Sequence, residues 1–124
     1  MFQPEFVQHR GRQVLRLDYS GLSLAEAVPA MRRAAEVIAS QPPKSVLVLT
    51  CWTTPLSHES LRLIRHHLTL NGPFTRASAI VIPHSVVIPL PLRKKVMVGI
   101  PVGGHECLRV FEDEAQALVW LVTR

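Results

Sequence analysis

The amino-acid sequence predicts an α/β fold: a mixed sheet of four to five strands with an N-terminal hairpin and about four helices. Three observations carry that prediction. Two short apolar runs, Ser45-Val46-Leu47-Val48-Leu49-Thr50 and Ala77-Ser78-Ala79-Ile80-Val81-Ile82, are set off by Pro42-Pro43 and Pro83. Runs of this length and apolarity read as strands buried on both faces. Between them, Leu61, Ile64 and Leu68 recur at the spacing of a helix with one face in a core. Ahead of them, Ser23-Leu24-Ala25-Glu26 has the form of a capping box, in which hydroxyl and carboxylate each satisfy a free backbone donor.

The remaining elements follow in order. Phe6-Val7-Gln8 and Gln13-Val14-Leu15-Arg16-Leu17 flank His9-Arg10-Gly11-Arg12 and predict a hairpin, with Gly11 supplying the turn. Leu15, Leu17 and Tyr19 fall on one face of its second strand, Arg16 and Asp18 on the other. The first helix runs through Leu24, Met31 and Ile38. Pro29 lies too deep in it for a first-turn proline, so a bend or a separate first turn is expected. Asn71-Gly72-Pro73 predicts a glycine C-cap for the second helix.

The apolar stretch Val86-Val87-Ile88-Pro89-Leu90-Pro91-Leu92 excludes a regular helix, but one can start near Pro91 and carry Arg93, Lys94 and Lys95. Gly103-Gly104 turns the chain into a short strand, Cys107-Leu108-Arg109-Val110. Phe111-Glu112-Asp113-Glu114 is expected to open the last helix, with Ala115, Leu118, Val119 and Val122 as its core stripe and Trp120 at the core edge.

At 124 residues the chain fits one domain, 1–124, with enough core to fold without disulfides or metal. The hydrophobic share of 48% with few aromatics fits a buried aliphatic sheet and leaves room for an apolar binding patch. Met1-Phe2-Gln3-Pro4-Glu5 does not read as a secretory leader, and no apolar run reaches the roughly 20 residues of a membrane span. The two cysteines, Cys51 and Cys107, fit reduced thiols, so a cytoplasmic protein is expected. The net charge of +5 is uneven: Lys44, Arg62, Arg65, Arg76, Arg93, Lys94 and Lys95 stand against Glu59 alone in the middle of the chain. A basic middle attracts an anionic ligand or surface, or simply keeps the protein soluble. Nucleic acid is not expected, because the cations lack interleaved aromatics and no recognition motif is present.

Candidate site residues gather after the buried strands. Cys51, His58 and His84 follow strands at one end of the sheet, near Asp18 or Tyr19, where a Cys–His pair begins a nucleophile or a zinc site. No Cys-x-x-Cys, His-x-x-x-His or Gly-flanked elbow supports either, so no catalytic, metal or cofactor residue is assigned. Thr53, Thr54 and Ser57 lie in the loop before the second helix; Ser57 with Ser60 sits where an anion or an added phosphate is favoured, or serves as a plain N-cap. The 86–92 stretch beside Arg93, Lys94 and Lys95 reads as the mouth of an amphiphile pocket, a peripheral membrane contact, a homodimer face, or a buried loop with solvated lysines.

Taken together, Leu17-Asp18-Tyr19-Ser20-Gly21-Leu22, the 45–50 strand, Asn71-Gly72-Pro73-Phe74 before Ala77-Ser78-Ala79-Ile80-Val81, and Phe111 through Leu121 span almost the whole chain. In these segments the chain resembles the stand-alone SpoIIAA-like proteins of the STAS/SEC14 group. The resemblance implies a single-domain SpoIIAA-like (STAS-like) fold without chemistry of its own, in proteins that switch partners or bind small molecules or lipids. Two departures stand out: Cys51 occupies a position where an Asp commonly follows the strand-end Thr, and Thr53, Thr54, Ser57 and Ser60 do not form the family's phosphorylation motif. The expected function is therefore a non-enzymatic binding or regulatory module for an anionic or amphiphilic ligand or a protein partner. Alternatives are a partner switch phosphorylated at Ser57 and a Cys51-dependent hydrolase or transferase.

Overall fold

The computed structural model describes residues 2–97 and 108–124, apart from the side chains of Lys94, Lys95 and Met97. The predicted Gly103-Gly104 turn and Cys107 lie outside the described residues.

The hairpin forms as expected, from β1 (Glu5–His9) and β2 (Arg12–Asp18), antiparallel with Val7 opposite Val14. Its turn uses two left-handed residues, Arg10 at φ 49° as well as Gly11 at φ 78°. A two-residue connection of this kind matches the twist of the flanking strands. A Cβ at Gly11 would meet nothing within 4 Å, so backbone conformation, not space, selects glycine there.

Helix α1 (Leu24–Ala39) starts at the predicted box: Ser23 N–H donates to Glu26 Oε1 at 3.0 Å, and Glu26 N–H to Ser23 Oγ at 3.2 Å. It is continuous through Pro29, so the first turn is not a separate element. Pro29 and Ala25 are both exposed, so the Ala25 carbonyl that loses its helical donor faces water. Strand β3 (Val46–Cys51) is buried nearly throughout and is followed by α2 (His58–Asn71), which buries Leu61, Ile64 and Leu68 as the spacing predicts. The helix does not end on a left-handed glycine. Gly72 has φ −50° and continues into a 3₁₀ turn, Gly72–Phe74, whose second residue is Pro73.

Strand β4 (Thr75–Val81) pairs with β3, and α3 (Leu90–Met97) buries Leu92 and Val96. β5 (Leu108–Phe111) extends one residue further than expected: Phe111 pairs with Val81 rather than opening a helix. Asp113 is the N-cap, accepting the Ala115 N–H at 3.0 Å, and α4 spans Glu114–Leu121. The predicted stripe of α4 is out of phase. Ala117 and Leu121 are buried, with Leu118 and Val122 packed beside them, while Ala115 is exposed and Val119 is 43% exposed. Apolar residues occupy nearly every position from 115 to 122, so periodicity had no phase to report.

Among the described residues the sheet has five strands in the order β1-β2-β3-β4-β5, with β2 to β5 parallel and β1 antiparallel. Each crossover advances one strand in the same direction, which leaves successive helices on one face. Accordingly Met31 and Ile38 of α1, Ile64 and Leu68 of α2, and Leu92 and Val96 of α3 share a core with Leu15, Val48 and Ile80. Helix α4 crosses instead to the other face, over Val14, Leu47, Leu49, Ala77 and Ala79. Arg16 and Asp18 thus lie on a second packed layer rather than on an open polar face.

Candidate functional site

The chain order runs evenly across the sheet, so no gap opens after β3. The gap opens one strand further on. The connection leaving β4 turns to the α3 face and the one leaving β5 turns to the α4 face, and divergent connections leave a crevice at the strands' C-terminal ends. Ile82 N–H donates to the Phe111 carbonyl at 2.8 Å, forming the last rung of the ladder and the crevice floor.

Above that rung lies a recess of about 190 Å³, walled by Ile82, Val86, Val96, Val110 and Phe111. An apolar cavity of about 150 Å³ accommodates benzene, so this one suits a short aliphatic or single-ring body. Its rim is polar: His84, Arg93 and Glu112. His84 Nδ1 is 3.9 Å from Glu112 Oε2, and both side chains are largely exposed, so the pair is weak and easily exchanged for a ligand. The Pro-rich connection is built to form one wall. Val86 N–H bonds the Pro83 carbonyl, Leu56 N–H bonds the Val87 carbonyl, and Leu92 and Arg93 N–H both reach the Pro89 carbonyl. Val86 points inward at 7% exposure, whereas Val87 and Leu90 are 66% and 79% exposed.

His84 and Arg93, expected from sequence, therefore meet at one site. The other expected residues do not join them. Cys51 is buried on the α4 face, level with Asp18 as anticipated, but on the layer opposite His58. Its thiol donates to Glu114 Oε1 at 3.2 Å, and that oxygen also accepts from Arg16 Nε at 2.8 Å. Burial first, then the Glu114 hydrogen bond and charge, push the thiol up to about 12. A thiol so placed is not a nucleophile at neutral pH. Tyr19 faces the opposite core, stacked on Phe2 with centroids 4.8 Å apart, and burial raises its phenol pKa.

Thr54 Oγ1 donates to the Leu22 carbonyl at 2.7 Å and pins the loop, while Thr53 is exposed. Ser57 is a working N-cap: it accepts the Ser60 N–H at 3.1 Å, and Ser57 N–H donates to Ser60 Oγ at 2.7 Å. His58 lies with Arg62 and Arg65 in a separate shallow groove between α2 and α3. Lys94 and Lys95 are on α3, and their side chains lie outside the described groups. Among the described residues no cluster of three His, Cys, Asp or Glu could hold a metal ion, and no helix is long and apolar enough to cross a membrane.

Sequence reasoning missed Val110, Phe111 and Glu112 as site residues, and Arg16 and Glu114 as a structural pair. A signal for the first group existed. Asp is a far better N-cap than Phe, so starting the helix at Asp113 would have released Phe111 to the strand. Neither a family model, a curated protein nor a solved structure matches the chain.

Proposed function

We propose that this protein is a non-enzymatic cytoplasmic binding module of the SpoIIAA-like, STAS-like kind, holding a small amphiphilic anion in the crevice between β4 and β5. The ligand's apolar body packs on Val86, Val110 and Phe111, and its anionic end meets Arg93 and His84. The observation that carries the reading is the position of an apolar-walled recess with Arg93 and His84 on its polar rim where the β4 and β5 connections part. Glu112 tempers the rim charge and disfavours ligands without an apolar part. The resemblance of the chain to small-molecule- and lipid-binding relatives supports the same reading, and the reduced Cys51 thiol fits the cytoplasm.

The two competing readings draw on residues that have other work in the fold. A Ser57 phosphoswitch needs a hydroxyl that already caps α2, and a Cys51 nucleophile needs a thiolate that burial and Glu114 oppose. Gentle native mass spectrometry of the protein taken from cells tests the proposal. A bound small acid is expected on the wild-type chain and absent from Ile88→Trp, whose ring fills the half-open mouth. An apo mass for both, with or without added short-chain carboxylates, would overturn it.

A further inference from the structure

A second feature lies in the core beneath α1 and α2, and it shares no lining residue with the β4–β5 crevice. Strand β4 carries small or apolar residues at most of its buried positions, Ala77, Ala79, Ile80 and Val81, with buried Thr75 at its start and Ser78, at 1% exposure, at its centre. Among the described residues the Ser78 Oγ has no hydrogen-bond partner. Nor does His67 Nδ1, on the inner side of α2, although that atom is also shielded from solvent. Both residues line the same recess, of about 30 Å³, together with Tyr19, Thr50, Asn71 and Thr75. A hydroxyl and an imidazole nitrogen left unpaired in a core are costly, and native proteins leave few of them so.

We infer that this recess binds one structural water molecule, held by Ser78 Oγ on β4 and His67 Nδ1 on α2. The volume decides the ligand. A water needs roughly 10–15 Å³ of such space and two to four polar partners, so the recess has room for water but not for an organic ligand, and its two unpaired polar atoms supply the partners of one. The water donates to Nδ1 of the neutral imidazole and exchanges a second bond with the serine hydroxyl, which is free to rotate as donor or acceptor. The surroundings keep the ring neutral: burial, His66 and Arg32 all lower the His67 pKa. Thr75 Oγ1 is already committed, donating to the Asn71 carbonyl at 2.8 Å. The water thereby joins α2 to β4 one helical turn before the direct bond from Thr75 to Asn71.

A crystal structure of the wild-type chain at high resolution is the first test. Density for a single ordered water within hydrogen-bond distance of both Ser78 Oγ and His67 Nδ1 is expected. A dry recess, or the two atoms bonded to protein groups, would overturn the inference. In solution, oxygen-17 magnetic relaxation dispersion counts long-lived internal waters. Ser78→Val, which fills the recess, should show one fewer than wild type, and an unchanged count contradicts the assignment. Should Ser78→Val fail to fold, Ser78→Ala serves for the same count, because it removes one anchor without adding bulk.

Discussion

Glu112, in the connection from β5 to α4, and Glu114, the first residue of α4, are two positions apart and have opposite fates. Glu114 points back over the sheet, where Arg16 Nε donates to it at 2.8 Å and the Cys51 thiol at 3.2 Å. Arg16 reaches Asp18 as well, at 3.5 Å, and Asp18 accepts the Ser20 N–H at 2.9 Å. Glu112 points across the crevice to an exposed His84 at 3.9 Å and has no closer ion-pair partner among the described residues. One short turn thus supplies a carboxylate that fastens α4 to the sheet and another left available at the rim. Charge that is hydrogen-bonded in a packed layer belongs to the fold. A carboxylate held loosely beside an apolar recess leaves its partner, His84, free to meet an anionic ligand.

The largest effect should come from undoing the packing that holds Glu114 in place. Leu121→Ala, at the fully buried last position of α4, is expected to cost about 2–5 kcal/mol. In a Cys107→Ala background it should also expose Cys51 to thiol reagents that leave the parent unlabelled. Urea unfolding and labelling rates measure the two effects.

Next in size is Glu114→Gln, which weakens a charged bond to Arg16 and leaves Cys51 with a poorer acceptor. A loss of about 1–2 kcal/mol is expected, since the pair is only partly screened from solvent. Glu112→Gln and His84→Ala should each change stability by no more than about 0.5 kcal/mol, while ligand retention weakens in His84→Ala and strengthens in Glu112→Gln, which removes a like charge from the rim. Equal stability losses at 112 and 114 would erase the distinction between the two carboxylates.

A smaller signature lies in pH dependence. The Cys51 thiol rises on folding from 9.0 to about 12, so its contribution is fully present below about pH 9 and is lost as pH climbs towards 12. Stability should therefore fall over that alkaline window, less steeply in Cys51→Ala. The slope should not vanish, because burial raises the Tyr19 phenol in the same direction. The smallest effect concerns the far end of the sheet. Arg10→Asn, at a left-handed turn position that Asn tolerates better, should stabilise by about 0.5 kcal/mol in thermal melts without touching the crevice.

Much of the fold was legible because local chemistry and final position agree. Ser23 and Glu26 cap α1 wherever α1 packs, and the 45–50 and 77–82 runs have no stable place but a sheet interior. The crevice was only half legible. His84 and Arg93 stand beside an obvious apolar stretch, but the wall they face comes from β5, whose end depends on whether Phe111 pairs with Val81. The face α4 takes is a long-range outcome, and a helix apolar on nearly all sides carries no local record of it. For the same reason Cys51 looked like a site residue: its neighbours Arg16 and Glu114 are 35 and 63 positions away in sequence, and only the fold assembles them.

The most direct measurement is an amide NMR titration of the full chain with hexanoate, run beside inorganic phosphate. The account predicts saturable shifts with hexanoate concentrated at Ile82 to Val86 and Val110 to Glu112, and much weaker ones with phosphate. Shifts confined to His58, Arg62 and Arg65, or none from either anion, would contradict it.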